Sequence, residues 1–507
     1  MTAASLILPV AVPAMTAAFL VLALRPSLNA QRAVSVIATI AQLAIAVGLF
    51  ALAGDGIPRA YFLGDWPAPF GIVLVLDRLA ATMLLLTAGL ATGVVIASLG
   101  KWDRRGRHFH ALFQFQLLGV NGAFLTGDLF NLFVFFEVLL IASYGLMLHG
   151  GGAPRLKAGF HYVAINLIGS TVFLFAVGTL YAVTGTLNMA DLALKVPQVA
   201  EANQALLAAG AFLLFTVFAI KSAMVPLHWW LPSTYATTSA PAAAIFAIMT
   251  KVGAYAIIRV STLIFGAGAG PLADAMAPWI LPAGLVTTAL GTLGVLANRS
   301  LTDLVCYALI ASMGTLLIAI GLNSPAGLAA ALYYAVQSTL VTAGLFLLAG
   351  GLGREKDDRA PLAQPTLLFA ALYFLLAIGM VGMPPLAGFI GKLQILEAGR
   401  THSHAVAVWA VILVSSLLLI VGFARRGMAV FWTDREDAHR LPTEASHVPL
   451  AQVVAIAGLI AATAVLSVCA GPVMQNLAAT ADQLYAPQGY IRAVLEPAAA
   501  ATTGGAP

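Results

Sequence analysis

Apolar runs of about twenty residues, almost free of charge, recur from one end of this chain to the other. They set the limits on what it can fold into. A helix needs about 20 apolar residues to cross the hydrocarbon of a bilayer. Fourteen stretches qualify, at roughly 3–24, 33–53, 72–99, 111–126, 129–148, 159–184, 206–228, 240–263, 277–297, 302–320, 326–351, 366–397, 405–424 and 449–471. Only 9% of the 507 residues are charged, against about 25% in a typical soluble domain. The expected class is therefore an all-α polytopic membrane protein. The first run has no basic stretch ahead of it, so it is expected to be a first transmembrane helix and not a cleaved signal.

The basic residues orient these spans. With the N-terminus outside, the odd-numbered connections face the cytoplasm and hold most of the Lys and Arg, among them Arg25, Arg32, Lys101, Arg104, Arg105, Arg107, Arg155, Lys157 and Arg299. The outer side, counting span ends, has Arg59, Arg78, Lys195, Arg259, Arg400 and Arg492. This bias follows the positive-inside rule and places both termini outside the cell membrane of a prokaryote. The net charge of +5 thus reports topology, and no nucleic-acid partner is implied. Many glycines suit close helix packing in lipid. Cys306 and Cys469 lie in separate apolar segments and are expected to be buried free thiols.

Two spans look interrupted. Pro226 follows Lys221 in the seventh, and Pro384-Pro385 breaks the twelfth. Proline removes a backbone donor and clashes with the preceding turn. Such breaks at membrane depth are tolerated inside protein or beside a wet cavity. Matching breaks in two halves mark inverted-repeat transporters. Five spans separate the two, so the natural units are spans 4–8 and 9–13, and a five-helix offset inverts one against the other. Leu125-Thr-Gly-Asp-Leu129 with Leu-Leu-Ile-Ala-Ser-Tyr-Gly145 is faintly echoed by Leu301-Thr-Asp-Leu304 with Leu-Ile-Ala-Ser-Met-Gly314. The expected divisions are 1–110 (three spans), 111–263 and 277–424 (the repeats), and 425–507. The last holds a loop, the fourteenth span and a tail poorly ordered at its end.

Four full charges sit at membrane depth: Glu137, Lys221, Lys251 and Lys392. Pro241 suits a first helical turn, and at about 1.5 Å per residue Lys251 lies about 15 Å further in, near the midplane. Glu137 is about 12 Å into the fifth span by the same arithmetic. Lys221 and His228 are seven residues apart and would share one face of a continuous helix. A charge in hydrocarbon costs several kcal/mol and is kept where it faces protein or water with a partner. Burial disfavours an ammonium and a nearby carboxylate favours it, so a lysine that gains or loses such a partner is a tunable proton carrier. Each residue also has a plainer reading: Glu137 as a structural ion-pair partner, Lys251 and Lys392 as interfacial, His228 as a histidine at a loop edge. Jointly, one carboxylate and three amines suit a proton relay. No Walker A motif, paired-cysteine metal site or dinucleotide fingerprint appears, so no cofactor or metal is expected.

Leu125-Thr-Gly-Asp-Leu-Phe-Asn-Leu-Phe-Val-Phe-Phe-Glu137-Val-Leu-Leu-Ile-Ala-Ser-Tyr144 closely resembles the D subunit of Mrp-type multisubunit cation/proton antiporters. Leu227-His-Trp-Trp-Leu-Pro232, Leu301-Thr-Asp-Leu-Val-Cys-Tyr-Ala-Leu-Ile-Ala-Ser-Met-Gly314 and Met383-Pro-Pro-Leu-Ala-Gly-Phe-Ile-Gly-Lys392 support it. These three are shared with antiporter-like subunits of respiratory complex I and membrane hydrogenases. The resemblance implies fourteen helices with two inverted five-helix repeats, a Glu137–Lys221 pair, a central Lys251 and a terminal Lys392. It also implies the other Mrp subunits as partners, including the large A subunit, and exchange of protons for Na+ or K+ by the whole complex. Many relatives carry a histidine and a lysine in the eleventh helix, where this chain has Gln337 and Thr342. Tyr235 falls where complex I relatives often have a histidine. Neutral groups hydrogen-bond water but carry no charge, so the segment between Lys251 and Lys392 is where the chain departs from the pattern. Three functions fit these features: a proton-translocating antiporter subunit, a pump subunit of a redox complex, and a structural subunit with transport elsewhere in the assembly. No residues form an alkali-ion cage, which places cation transport at another subunit or an interface.

Overall fold

The computed structural model describes residues 3–352, 367–432 and 449–496. In chain order its helices are α1 (Leu8–Leu22), α2 (Leu28–Ala53), α3 (Arg78–Ser98), α4 (Phe109–Leu125), α5 (Leu129–Leu148), α6 (Ala153–Thr184), α7 (Met189–Lys195), α8 (Glu201–Lys221), α9 (Trp230–Tyr235) and α10 (Ala240–Phe246). They continue with α11 (Met249–Leu263), α12 (Ala277–Ala297), α13 (Leu301–Gly321), α14 (Pro325–Gly351), α15 (Leu367–Val381), α16 (Ala387–Ala398), α17 (Ala405–Phe431), α18 (Leu450–Val468), α19 (Ala470–Tyr485) and α20 (Gln488–Leu495). Side-chain caps start many of them. Ser27, Asp77, Asp128, Asn188, Ser300 and Ser324 each accept a hydrogen bond from a backbone N–H in the first turn, which satisfies donors a helix leaves open.

Among the described residues, 12 helical segments are long and apolar enough to cross a membrane. They correspond to twelve of the expected spans. The others fall on the 17-residue α4 and on the pair α15 and α16, which the Gly382–Leu386 segment separates. The middle of the bundle is α10–α11, α13 and α14. Their apolar windows are 100%, 94% and 94% buried, against 33% for α1, α2, α17 and α18. The elements bearing Lys251 and Gln337 are therefore wrapped by other helices. Glycines bring α12 and α13 together: a Cβ on Gly284, Gly291, Gly314 or Gly321 would fall against the backbone of the facing helix, so the two helices pack nearly backbone to backbone.

The structure corrects several expectations. The third span starts later, at Arg78, because Val73–Leu76 form β2, paired antiparallel with β1 (Arg59–Phe62) in the register Arg59↔Leu76. All four β2 residues are buried, and a short fully apolar run reads alike as strand or helix. Lys221 and His228 do not share a helix face, because α8 ends at Lys221 and Ala223 takes φ +54°. The peptide bonds Val225–Pro226 and Pro384–Pro385 are cis. The eighth span is two helices, with Pro241 at the start of α10. Cys306 is buried, but Cys469 is exposed at the α18–α19 junction. The tail expected to follow the last span is helical through α19 and α20, while the end of that tail, 497–507, lies outside the described residues.

Candidate functional site

Glu137 and Lys221 are not in direct contact; α6 joins them. Tyr162, Asn166 and Ser170 recur every fourth residue on one buried face of α6, the spacing that puts side chains one above another. Ser170 Oγ donates to Glu137 Oε1. Lys221 Nζ donates to Asn166 Oδ1 at 2.9 Å, and Asn166 Nδ2 donates to the Tyr162 carbonyl at 2.8 Å. The Phe136 ring lies 5.9 Å from Lys221 Nζ, within cation–π range. Lys221 is also the last residue of α8, where the helix dipole favours a cation. Glu137 is half-buried and Lys221 is buried. The pair is thus linked through two neutral side chains on a third helix.

The segment after α8 packs on this network. Trp230 stacks on Tyr162 at 5.6 Å and donates from Nε1 to the Ile220 carbonyl at 3.1 Å. His228 sits half-buried in the turn between α8 and α9. Tyr235 is fully buried, donates to the Phe246 carbonyl at 3.2 Å and packs on Phe346 of α14. It ties α9 to the central helices.

Lys251 is 1% exposed, and its Nζ has no hydrogen-bond or ion-pair partner among the described residues. In the second half, Lys392 Nζ donates to the Val381 carbonyl at 2.7 Å and to Ser416 Oγ at 2.8 Å. Val381 ends α15, and the residue four further on is Pro385, which has no N–H to give. The break therefore frees the carbonyl that Lys392 occupies. Gln337 Nε2 donates to the Gly379 carbonyl at 2.7 Å, so it is tied to the same broken helix. Thr342 is fully buried and its Oγ1 has no hydrogen-bond partner among the described residues.

Sequence reading missed Asn166, Ser170 and Ser416, although the first two form a polar i, i+4 pair in an apolar run. It also missed a buried ion pair. Arg259, expected at an outer span end, instead lies within the protein with Nη1 2.6 Å from Asp77 Oδ2; their side chains are 3% and 2% exposed. Arg259 lies over the rings of Tyr255 and Tyr490. Among the described residues no group of three or more His, Cys, Asp or Glu is placed to hold a metal ion.

Residues 126–419 match the family model described as NADH:quinone oxidoreductase/Mrp antiporter, transmembrane. The chain is 40% identical over 484 residues to the probable K+/H+ antiporter D subunit of Rhizobium meliloti, covering 89% of this chain and 88% of that protein. It is 35% identical over 500 residues to the Na+/H+ antiporter D subunit of Alkalihalophilus pseudofirmus, covering 97% and 99%. Its fold matches a chain in the structure of the Mrp complex from a Dietzia species with a TM-score of 0.87 at 28% identity, covering 98% and 100%. This chain therefore belongs to the NADH:quinone oxidoreductase/Mrp antiporter membrane-subunit family, among its antiporter D subunits.

Proposed function

We propose that this chain is the proton-translocating membrane subunit of a multisubunit Na+ or K+/proton antiporter. Protons pass along Glu137–Lys221, Lys251 and Lys392. The observation that carries the reading is Lys251: a fully buried amine at the middle of the bundle to which the described residues offer no acceptor. A buried polar group without a protein partner is a place for water, and a buried amine that water reaches can exchange its proton. Glu137 with Lys221 lies on one side of it in sequence and Lys392 on the other. Charge movement at one group shifts the protonation of the next. Thr342, with its free hydroxyl, is a second water-binding point, whereas Gln337 positions the break beside Lys392.

The chain crosses the membrane fourteen times, with α4 and the broken α15–α16 pair as the crossings beyond the twelve long ones. Spans 4–8 (111–263) and 9–13 (277–424) form inverted repeats flanked by 1–110 and 425–507, and both termini face outward from the plasma membrane. The corresponding breaks after Lys221 and before Lys392 support this arrangement. The partners are the other antiporter subunits, the large A subunit included, with metal-cation movement at another subunit or an interface. Relatives named as D subunits of K+/H+ and Na+/H+ antiporters favour antiport over a redox pump, and three buried lysines with the half-buried Glu137 favour transport within this chain over a structural role. In everted vesicles carrying the whole complex, Lys251→Ala is expected to abolish cation-dependent proton flux while assembly stays normal. Full antiport by that variant overturns the relay.

A further inference from the structure

The α1–α2 and α3–α4 connections meet at one end of the bundle around an open cavity of about 550 Å3. Arg25, Arg104, Arg105 and Arg107 line it, with Asp103 the one acidic lining residue among the described residues. Asp103 is fully buried and already engaged. Arg32 holds it at 2.5 Å through Nε and 2.9 Å through Nη2, and the Gly100 N–H donates to it at 3.1 Å. No carboxylate among the described residues pairs with Arg25, Arg104 or Arg107, so the cavity presents uncompensated positive charge.

The cavity has a fixed frame. The Arg32–Asp103 pair ties the start of α2 to the α3–α4 connection. Gln31 Nε2 pins the α1–α2 connection by donating to the carbonyls of Leu24 at 3.1 Å and Arg25 at 3.3 Å. Arg105 stacks 4.5 Å from the ring of buried Trp102. Beside the cavity, α1 and α2 turn Phe19, Leu22, Ile37 and Ile40 outward, all exposed. The site therefore sits where spans of apolar surface end and a ring of guanidinium groups begins.

We propose that this cavity binds the phosphodiester headgroup of an anionic phospholipid, whose acyl chains lie along the exposed faces of α1 and α2. Guanidinium forks match phosphate oxygens in geometry and charge. Basic pockets between transmembrane helices at the membrane surface recognise anionic headgroups. A zwitterionic lipid brings its own ammonium against the arginines and is disfavoured. The continuity of the basic cavity with apolar helix faces selects a lipid over an acidic protein segment, which needs no apolar flank. The inference does not rest on the transport reading.

The test is native mass spectrometry of the whole complex, taken from nanodiscs of phosphatidylcholine doped with phosphatidylglycerol. Each arginine near the headgroup contributes about fivefold, so Arg25→Gln/Arg104→Gln/Arg107→Gln is expected to lower phosphatidylglycerol retention at this site roughly a hundredfold. The corresponding triple Lys variant, which keeps the charge, is expected to retain most of it. Unchanged retention in the Gln variant overturns the proposal. So does protection of the arginines from a guanidine-modifying reagent by soluble glycerol 3-phosphate but not by the lipid, which would mark a free-phosphate site. Cross-linking that places an acidic segment of a companion subunit in the cavity, with no lipid retained, overturns it as well.

Discussion

Arg259→Met tests how this fold carries charge inside its helices. Arg259 Nη1 lies 2.6 Å from Asp77 Oδ2, and both side chains are almost wholly buried. With charge centres about 4 Å apart, the attraction is about 4 kcal/mol at an effective dielectric constant of 20. Removing the cation strands a carboxylate, and breaking a buried pair in this way costs about 3–5 kcal/mol. Asp77 keeps its hydrogen bond from Ala80 N at 2.8 Å, so the lower end, about 3 kcal/mol, is expected. Asp77→Asn/Arg259→Met keeps the N-cap and removes both charges. It is expected to cost only about 1 kcal/mol, because replacing a buried pair is often near neutral. The double-mutant cycle then gives a coupling of at least about 2 kcal/mol. The assay is equilibrium unfolding of the assembled complex in mixed micelles for wild type, both single variants and the double variant. A single-variant cost below about 1 kcal/mol, or effects additive within about 0.5 kcal/mol, would refute the reasoning.

Three further outcomes follow from other parts of the structure. Asn166→Leu removes the acceptor held by Lys221, and a hydrogen bond to a charged group is worth about 1.5–3 kcal/mol. Cation-dependent fluorescence dequenching in everted vesicles should therefore slow by about 10–100-fold. Gly388→Ala drives a methyl group into the Gly379 carbonyl across the α15–α16 break and should cost about 1–3 kcal/mol, read as a smaller yield of assembled complex. At Asp103, burial pushes the carboxyl up, but hydrogen bonds from His110 and Arg32 more than reverse this and hold it well below the usual range. Its stabilisation is present above an unfolded-state value of about 3.9 and fades as pH falls towards the lower folded value. Asp103→Asn should lower stability at pH 7 and flatten its loss below about pH 4, measured by unfolding across that range.

The helical spans were legible because hydrocarbon demands twenty apolar residues and the chain supplies little else. Lys221, Lys251 and Lys392 stood out for the same reason. What the chain hid was contact between distant segments. Asn166 and Ser170 are ordinary polar residues in α6 until α5 and α8 bring Glu137 and Lys221 against them. Asp77 looks like a cap and Arg259 like a span-end charge, and only the packing of α3, α11 and α20 makes them a buried pair. The β1–β2 hairpin was missed because Val73–Leu76, buried on both faces, lacks the alternation that marks a half-buried strand. The proline breaks were readable, but their consequence was not. Losing the N–H of Pro385 leaves the Val381 carbonyl open, and only the return of α16 places Lys392 there.

Protons are proposed to move through this chain along Glu137, Lys221, Lys251 and Lys392. The most direct measurement is proton flux into proteoliposomes holding the assembled complex, followed with an internal pH dye after a Na+ or K+ gradient is imposed. It compares wild type with Glu137→Gln, Lys221→Ala, Lys251→Ala and Lys392→Ala at matched complex content. Robust flux is expected in wild type and near-complete loss in each variant. Wild-type flux in Lys251→Ala, or in all four variants, would contradict it and move proton transport to another subunit.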